Sequence, residues 1–134
     1  MALGRSLLVL FFLVLITPGP VFGTFDKYIL EVPRAGIVEE IAPANPFKLT
    51  DYMPVINNKI AQATGTSKNL IYLFAHSAPF NYNGIKSKAI FATLDYVDRG
   101  DTILINRYGD LKKYRVTGKT IAARTNLSYL YQKP

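Results

Sequence analysis

The chain keeps returning to short runs rich in Ile, Val and Tyr, each closed by Gly, Pro, Asn or Asp, and it rarely sustains a helical repeat between them. Runs of that kind read as strands joined by turns. From Lys27, KYILEVPRAGIVEEI predicts a strand, a turn at Arg34, Ala35 and Gly36, and a second strand. Pro33 closes the first run, where a missing amide donor is tolerated at an edge or bulge. TILINRY and LKKYRVTGKTIAA predict a hairpin turning at Gly109 and Asp110, with a further bend at Gly118. NLIYLFA, apolar without alternation, predicts a strand buried on both faces. Few helical segments against five or so strands point to a closed or nearly closed β-barrel, whose closure would protect its edges.

The connecting segments carry weaker signals. APANPFKLTDYMP holds three prolines and is expected to be an irregular surface excursion. VINNKIAQA offers at most a couple of helical turns before TGTSKN breaks them. SAPFNYNGIKS reads as a long loop. AIFATLDYV, with Ile90, Phe91, Leu94 and Val97 at helical spacing, predicts a short amphipathic helix. The RGD just after it is explained as a turn around Gly100. At the other end, TNLSYLYQKP stops with apolar side chains uncovered by any terminal element, which reads as a truncated barrel with an open edge.

Residues 1–23 are expected to stand apart. Arg5 precedes an apolar run from Leu7 to Ile16, with Pro18, Gly19 and Pro20 just beyond it, the pattern of an export signal. Small residues at the junction favour cleavage. An uncleaved membrane anchor and a buried strand or helix of the domain are the competing readings, the run being short of the about 20 apolar residues of a spanning helix. Residues 24–134 then form the folded domain.

Of 134 residues, 49% are hydrophobic and 19% charged, the makeup of one small globular domain. No cysteine is present, so packing and hydrogen bonds alone must hold an exported domain. With one histidine besides, neither a metal site nor any cofactor is expected. The formal charge of +7 predicts attraction to anionic membrane or cell-wall polymers. Lysines and arginines are scattered, with Lys112 and Lys113 the one pair singled out and no reading helix, so nucleic acid is not an expected partner. A monomer is expected.

The lone histidine, His76, ends the run NLIYLFAHSAP. A lone histidine at a strand end is usually a packing residue, yet imidazole is also the side chain best suited to move protons near neutral pH. It needs a partner for catalysis. Ser77 is adjacent, but neighbours in an extended chain point apart, and no GxSxG elbow occurs. The acidic residues form no obvious catalytic pair. Glu39 and Glu40 flank a strand end, and Asp95, Asp98 and Asp101 surround a turn. No Gly-rich loop fits a phosphate. Among the nine tyrosines and eight phenylalanines, Phe80 and Tyr82 lie just beyond His76 and could line a groove for an extended peptide.

Taken in order, these pieces resemble the sortases, membrane-attached cysteine transpeptidases of bacterial cell surfaces. YILEVPRAGIVEEI is similar to the family's opening strand pair, NLIYLFAHSAP to its strand ending in histidine, and AIFATLDYVDRGDTILI to its helix, Gly-Asp turn and next strand. YRVTGKTIAA resembles the family's later strand pair and NLSYL the loop before its final catalytic strand, so the likeness runs from Tyr28 to Leu130. It implies an incomplete sortase-like β-barrel with one or two short helices, in which His76 matches the catalytic histidine. The implied partner is the sorting-signal peptide of surface proteins, and the implied place is the outer face of the cell membrane. The family's nucleophilic cysteine and catalytic arginine have no counterpart; Arg115 and Arg124 do not match that arginine. A thiol acyl transfer lacking its thiol predicts an inactive chain.

Overall fold

The computed structural model describes residues 8–18, 26–79, 81–82 and 84–122, with the side chains of 8–18, Tyr82 and Ala122 outside the description. Among the described residues, nine strands and one α-helix succeed one another in chain order: β1 (Leu8–Pro18), β2 (Tyr28–Val32), β3 (Ile37–Ala44), α1 (Leu49–Ile56), β4 (Ile60–Ala63), β5 (Leu73–Phe74), β6 (Asn81–Tyr82), β7 (Ile85–Lys86), β8 (Thr102–Arg107) and β9 (Asp110–Ala122). Seven of them build one curled sheet in the order β1-β9-β8-β2-β3-β4-β5, and β6 and β7 form a small separate hairpin. The fold is mainly β, as the sequence implies. Among the described residues no helix is long and apolar enough to cross a membrane.

Two predicted turns fall where their glycines require. Pro33–Ala35 make one turn of 3-10 helix that ends at Gly36, whose φ of 66° is the left-handed conformation glycine accepts without a clash. β2 and β3 then pair antiparallel, Val32 against Ile37 and Ile29 against Glu40. The β8–β9 hairpin closes through Tyr108 and Gly109, both at positive φ, one residue earlier than the expected Gly109 and Asp110, because Asp110 already pairs with Arg107 as the first residue of β9. Two-residue loops of that geometry match the twist of the strands they join. Alternation buries one face: Tyr28, Leu30 and Val32 of β2, Ile103 and Ile105 of β8 and Val116 of β9 meet in the main core with Ile41, Ile60, Leu94 and Val97. Gly118 lies within β9 and adjoins a bulge, where the register against β1 slips between Phe12 and Leu13. The bend expected there is this irregularity inside a continuous strand.

The apolar N-terminal run forms β1, antiparallel to β9 from Leu8 opposite Ala122 to Pro18 opposite Lys112. β5 carries the other edge, and among the described residues nothing joins it to β1. The segment from 123 to 134, read from the sequence as an uncovered end, lies outside the described residues.

Four local expectations are corrected. The Pro-rich segment is not irregular throughout, because Leu49–Ile56 is helical. Asp51 in the first turn accepts the Asn45 amide at 2.6 Å, and Pro54 sits in the second half of a helix of eight residues. Tyr52, Met53, Val55 and Ile56 pack with Ala44, Ala61 and Phe74 in a second, smaller cluster. The helical turns expected in VINNKIAQA stop at Ile56, and IAQA is β4, parallel to β3. Ile60 faces the main core and Ala61 the small cluster, so this strand is apolar on both sides and mimics a helical spacing.

NLIYLFA contributes only Leu73–Phe74 to the ladder, and these are half-buried. β4, just four residues long, offers little edge to pair with. AIFATLDYV winds as successive turns ending in a 3-10 segment, Leu94–Tyr96, rather than an α-helix. Its amides bond three residues back, Leu94 to Phe91 and Val97 to Leu94, while the Phe91 amide is held by the His76 carbonyl.

Candidate functional site

His76 lies two residues beyond the end of β5. Its position is set by how that short strand is held. Leu73 and Ala75 pack on the main core and Phe74 on the small cluster, so alternate side chains are gripped from opposite sides before the chain reaches the imidazole. Phe74 meets Tyr52 of α1 edge-on at 5.8 Å between ring centroids and Tyr72 at 6.2 Å. The pairing of Ala61 with Phe74 and Gln62 with Leu73 is extended by the Ala63 amide, which donates to the Tyr72 carbonyl at 2.9 Å. Beyond the strand, the His76 carbonyl accepts the Phe91 amide at 2.9 Å. The turn segment thereby braces the histidine backbone, and it is itself tied down where Thr93 Oγ1 donates to the Ala35 carbonyl at 2.7 Å.

The imidazole is half-buried with Nε2 shielded from solvent, and desolvation holds its pKa below the ordinary 6.5. At neutral pH it is therefore an uncharged ring. A neutral imidazole can take a proton at one nitrogen and give one from the other, which suits proton transfer to a leaving or attacking group. Ser77 is half-buried beside it. Of the two aromatic residues expected to line a groove, Phe80 lies outside the described residues. Tyr82 places its backbone in β6, paired with Ile85, and its side chain is likewise outside the description.

Glu39, Glu40, Asp98 and Asp101 have structural partners. Glu40 accepts from Lys59 Nζ at 2.9 Å, a hydrogen bond that pulls its pKa down, and Glu39 lies 3.8 Å from Lys88. Asp101 accepts the Asp98 amide at 2.9 Å and Arg34 Nε at 3.3 Å, and that amide, aided by the guanidinium, keeps its carboxyl below the usual range. It organises the turn expected around Gly100 and is half-buried there. Asp98 is exposed and 3.6 Å from Lys119, and Asp95 is exposed. Among the described residues no group of histidine and acidic side chains could hold a metal ion.

Sequence reasoning missed the supports of the site: Tyr52, Phe74 and the amide of Phe91. The spacing of Tyr52, Met53, Val55 and Ile56 was the available signal for the helix, obscured by the prolines around it. The His76–Phe91 backbone bond joins residues fifteen apart in sequence and has no signature in residue type.

No family model matches the sequence, and no curated protein matches it. Solved structures do match the fold. A Clostridium perfringens sortase D5 transpeptidase superposes with a TM-score of 0.58 at 17% identity, covering 78% of this chain and 61% of that one. A lid mutant of sortase A from Corynebacterium diphtheriae superposes with a TM-score of 0.60 at 14% identity, covering 81% of this chain and 55% of that one. The chain thus spans less than two thirds of the length of either, and its fold is sortase-like.

Proposed function

We propose that this chain is a peptide-handling domain of the sortase type, with His76 as its proton-transfer residue. The observation that carries the reading is a sortase-like fold in which a neutral, half-buried histidine is held at the end of β5 between two packed clusters. In a thiol acyl transfer, the imidazole takes the proton of a cysteine thiol, the thiolate attacks the peptide carbonyl, and the imidazolium returns that proton to the departing amine as the C–N bond breaks. A second amine then attacks the thioester, forming a new amide as the C–S bond breaks, and its proton passes through the imidazole to the released thiolate. These 134 residues contain no cysteine and by themselves form no thioester. What remains is peptide binding beside a competent imidazole, with Phe80 and Tyr82 as the candidate groove. Export rests on the apolar segment within 1–23, which reads from the sequence as a signal or anchor and in the structure pairs with β9 as the strand β1, and the charge of +7 favours the anionic outer surface of a membrane or wall.

A non-catalytic exported domain that binds peptides, or serves only as structure, is the second reading, favoured by the missing thiol. Mass spectrometry of the chain incubated with synthetic sorting-signal peptides should find no covalent adduct. An acyl-enzyme would overturn the assignment of inactivity. Saturable binding that weakens in Phe80→Ala or Tyr82→Ala supports the groove, whereas no binding leaves a purely structural domain.

A further inference from the structure

The start of β2 and the β8–β9 turn bring together side chains that the peptide site does not use. Tyr28 is 5% exposed with its ring in the main core, yet its Oη is buried and has no hydrogen-bond partner among the described residues. Buried hydroxyls are nearly always paired, and one that is not calls for an explanation. Burial raises the phenol pKa more than nearby Arg107 lowers it, so at neutral pH the group is an O–H donor.

Arg107 is the register partner of Tyr28 on β8, and its guanidinium carbon lies 5.4 Å from the centre of the Tyr28 ring. Asp110 stands opposite Arg107 across the hairpin, but its ion pair, at 3.7 Å, is with Lys112. Among the described residues no carboxylate lies within ion-pairing distance of Arg107.

The third member is Tyr108, with φ at 52° and its amide donating to the Lys27 carbonyl at 3.0 Å. Turns of this kind prefer Asn, Asp or Gly at that position, so a bulky tyrosine there works against the backbone. The residue is 66% exposed, and its ring centroid is 6.1 Å from that of Tyr28. Strain of this sort, where it persists, tends to mark a functional position.

We infer that Tyr28, Arg107 and Tyr108 form a binding site for an oxyanion, a carboxylate or phosphate group carried on a molecule with a flat or apolar part. The Tyr28 hydroxyl donates one hydrogen bond, the guanidinium supplies charge and paired N–H donors, and the exposed Tyr108 ring covers the apolar part. Asp110 is the one acid of the turn, and Lys112 offsets its charge. This site is independent of the peptide reading, which rests on His76.

The full chain titrated with benzoate, inorganic phosphate and the neutral benzamide tests the assignment by NMR and thermal melting. Benzoate or phosphate should shift resonances of Arg107 and Tyr108 saturably and raise the melting temperature, while benzamide should do neither. Tighter benzoate binding identifies a carboxylate ligand, and tighter phosphate binding a phosphate. Tyr28→Phe keeps the ring and removes the orphan hydroxyl, so it should fold at least as stably and bind about tenfold more weakly. Arg107→Gln, at an exposed position, should lose binding as well. No saturable response to either anion, equal binding of benzamide, or undiminished affinity in both variants would overturn the site.

Discussion

The two sides of the sheet bury their apolar residues in different ways. On one side, β2, β3, β8 and β9 are strands of five to thirteen residues, joined in tight antiparallel turns and contributing alternate side chains to one large core. On the other, β4 and β5 have four and two residues, β4 joins the sheet in parallel, and α1 supplies the cover that longer strands would otherwise give. The first arrangement makes a scaffold of local pairings. The second leaves a short strand end clamped between two clusters, and His76 lies two residues beyond it. The two-residue β5, with few ladder bonds and half-buried side chains, is the part expected to open first.

Substitutions can test that division. Ile60 is fully buried where the two sides meet, and Ile60→Ala should cost about 2–5 kcal/mol in urea denaturation, with the whole domain unfolding in one transition. If only the β4–β5 side lost structure, the seam would be weaker than its burial implies. Phe74→Ala, at a half-buried position, should cost less, about 1–3 kcal/mol, and should disturb hydrogen exchange around β5 and α1 while leaving β8 and β9 protected. Equal loss of protection in β8 would show the sides to be one cooperative unit.

The pH dependence should be smaller again. His76 has a folded pKa below its unfolded 6.5, so the unfolded chain binds the extra proton and stability falls as pH drops from about 6.5 through the folded value. His76→Gln should flatten that part of the stability–pH curve. A curve of unchanged slope would mean the imidazole is as solvated in the fold as out of it. The smallest effect is expected from Arg34→Ala: its ion pair with Asp101 is on the surface, and the Asp98 amide still holds the carboxylate, so the melting temperature should scarcely move.

The scaffold side is legible in the sequence because its signals are local. Gly36 and Gly109 sit where backbone conformation demands them, and Leu30, Val32, Ile103 and Ile105 alternate with more exposed neighbours. The β4–β5 side is misleading for the converse reason. Ile60 and Ala61 are buried on opposite faces, so period two disappears, and α1 lies among prolines that usually break helices. His76 stands out as the lone histidine at the end of an apolar run. What sets its protonation and backbone position, burial between two clusters and the bond from Phe91, arises only when distant segments meet.

The central claim is that the end of β5 is a peptide site built around His76. An NMR titration of the full chain with synthetic sorting-signal peptides tests it most directly. Saturable shifts centred on His76, Ser77 and Phe91, lost on His76→Ala with the sheet resonances intact, are the predicted result. Shifts absent there, or confined to the far hairpin at Tyr108, would contradict it.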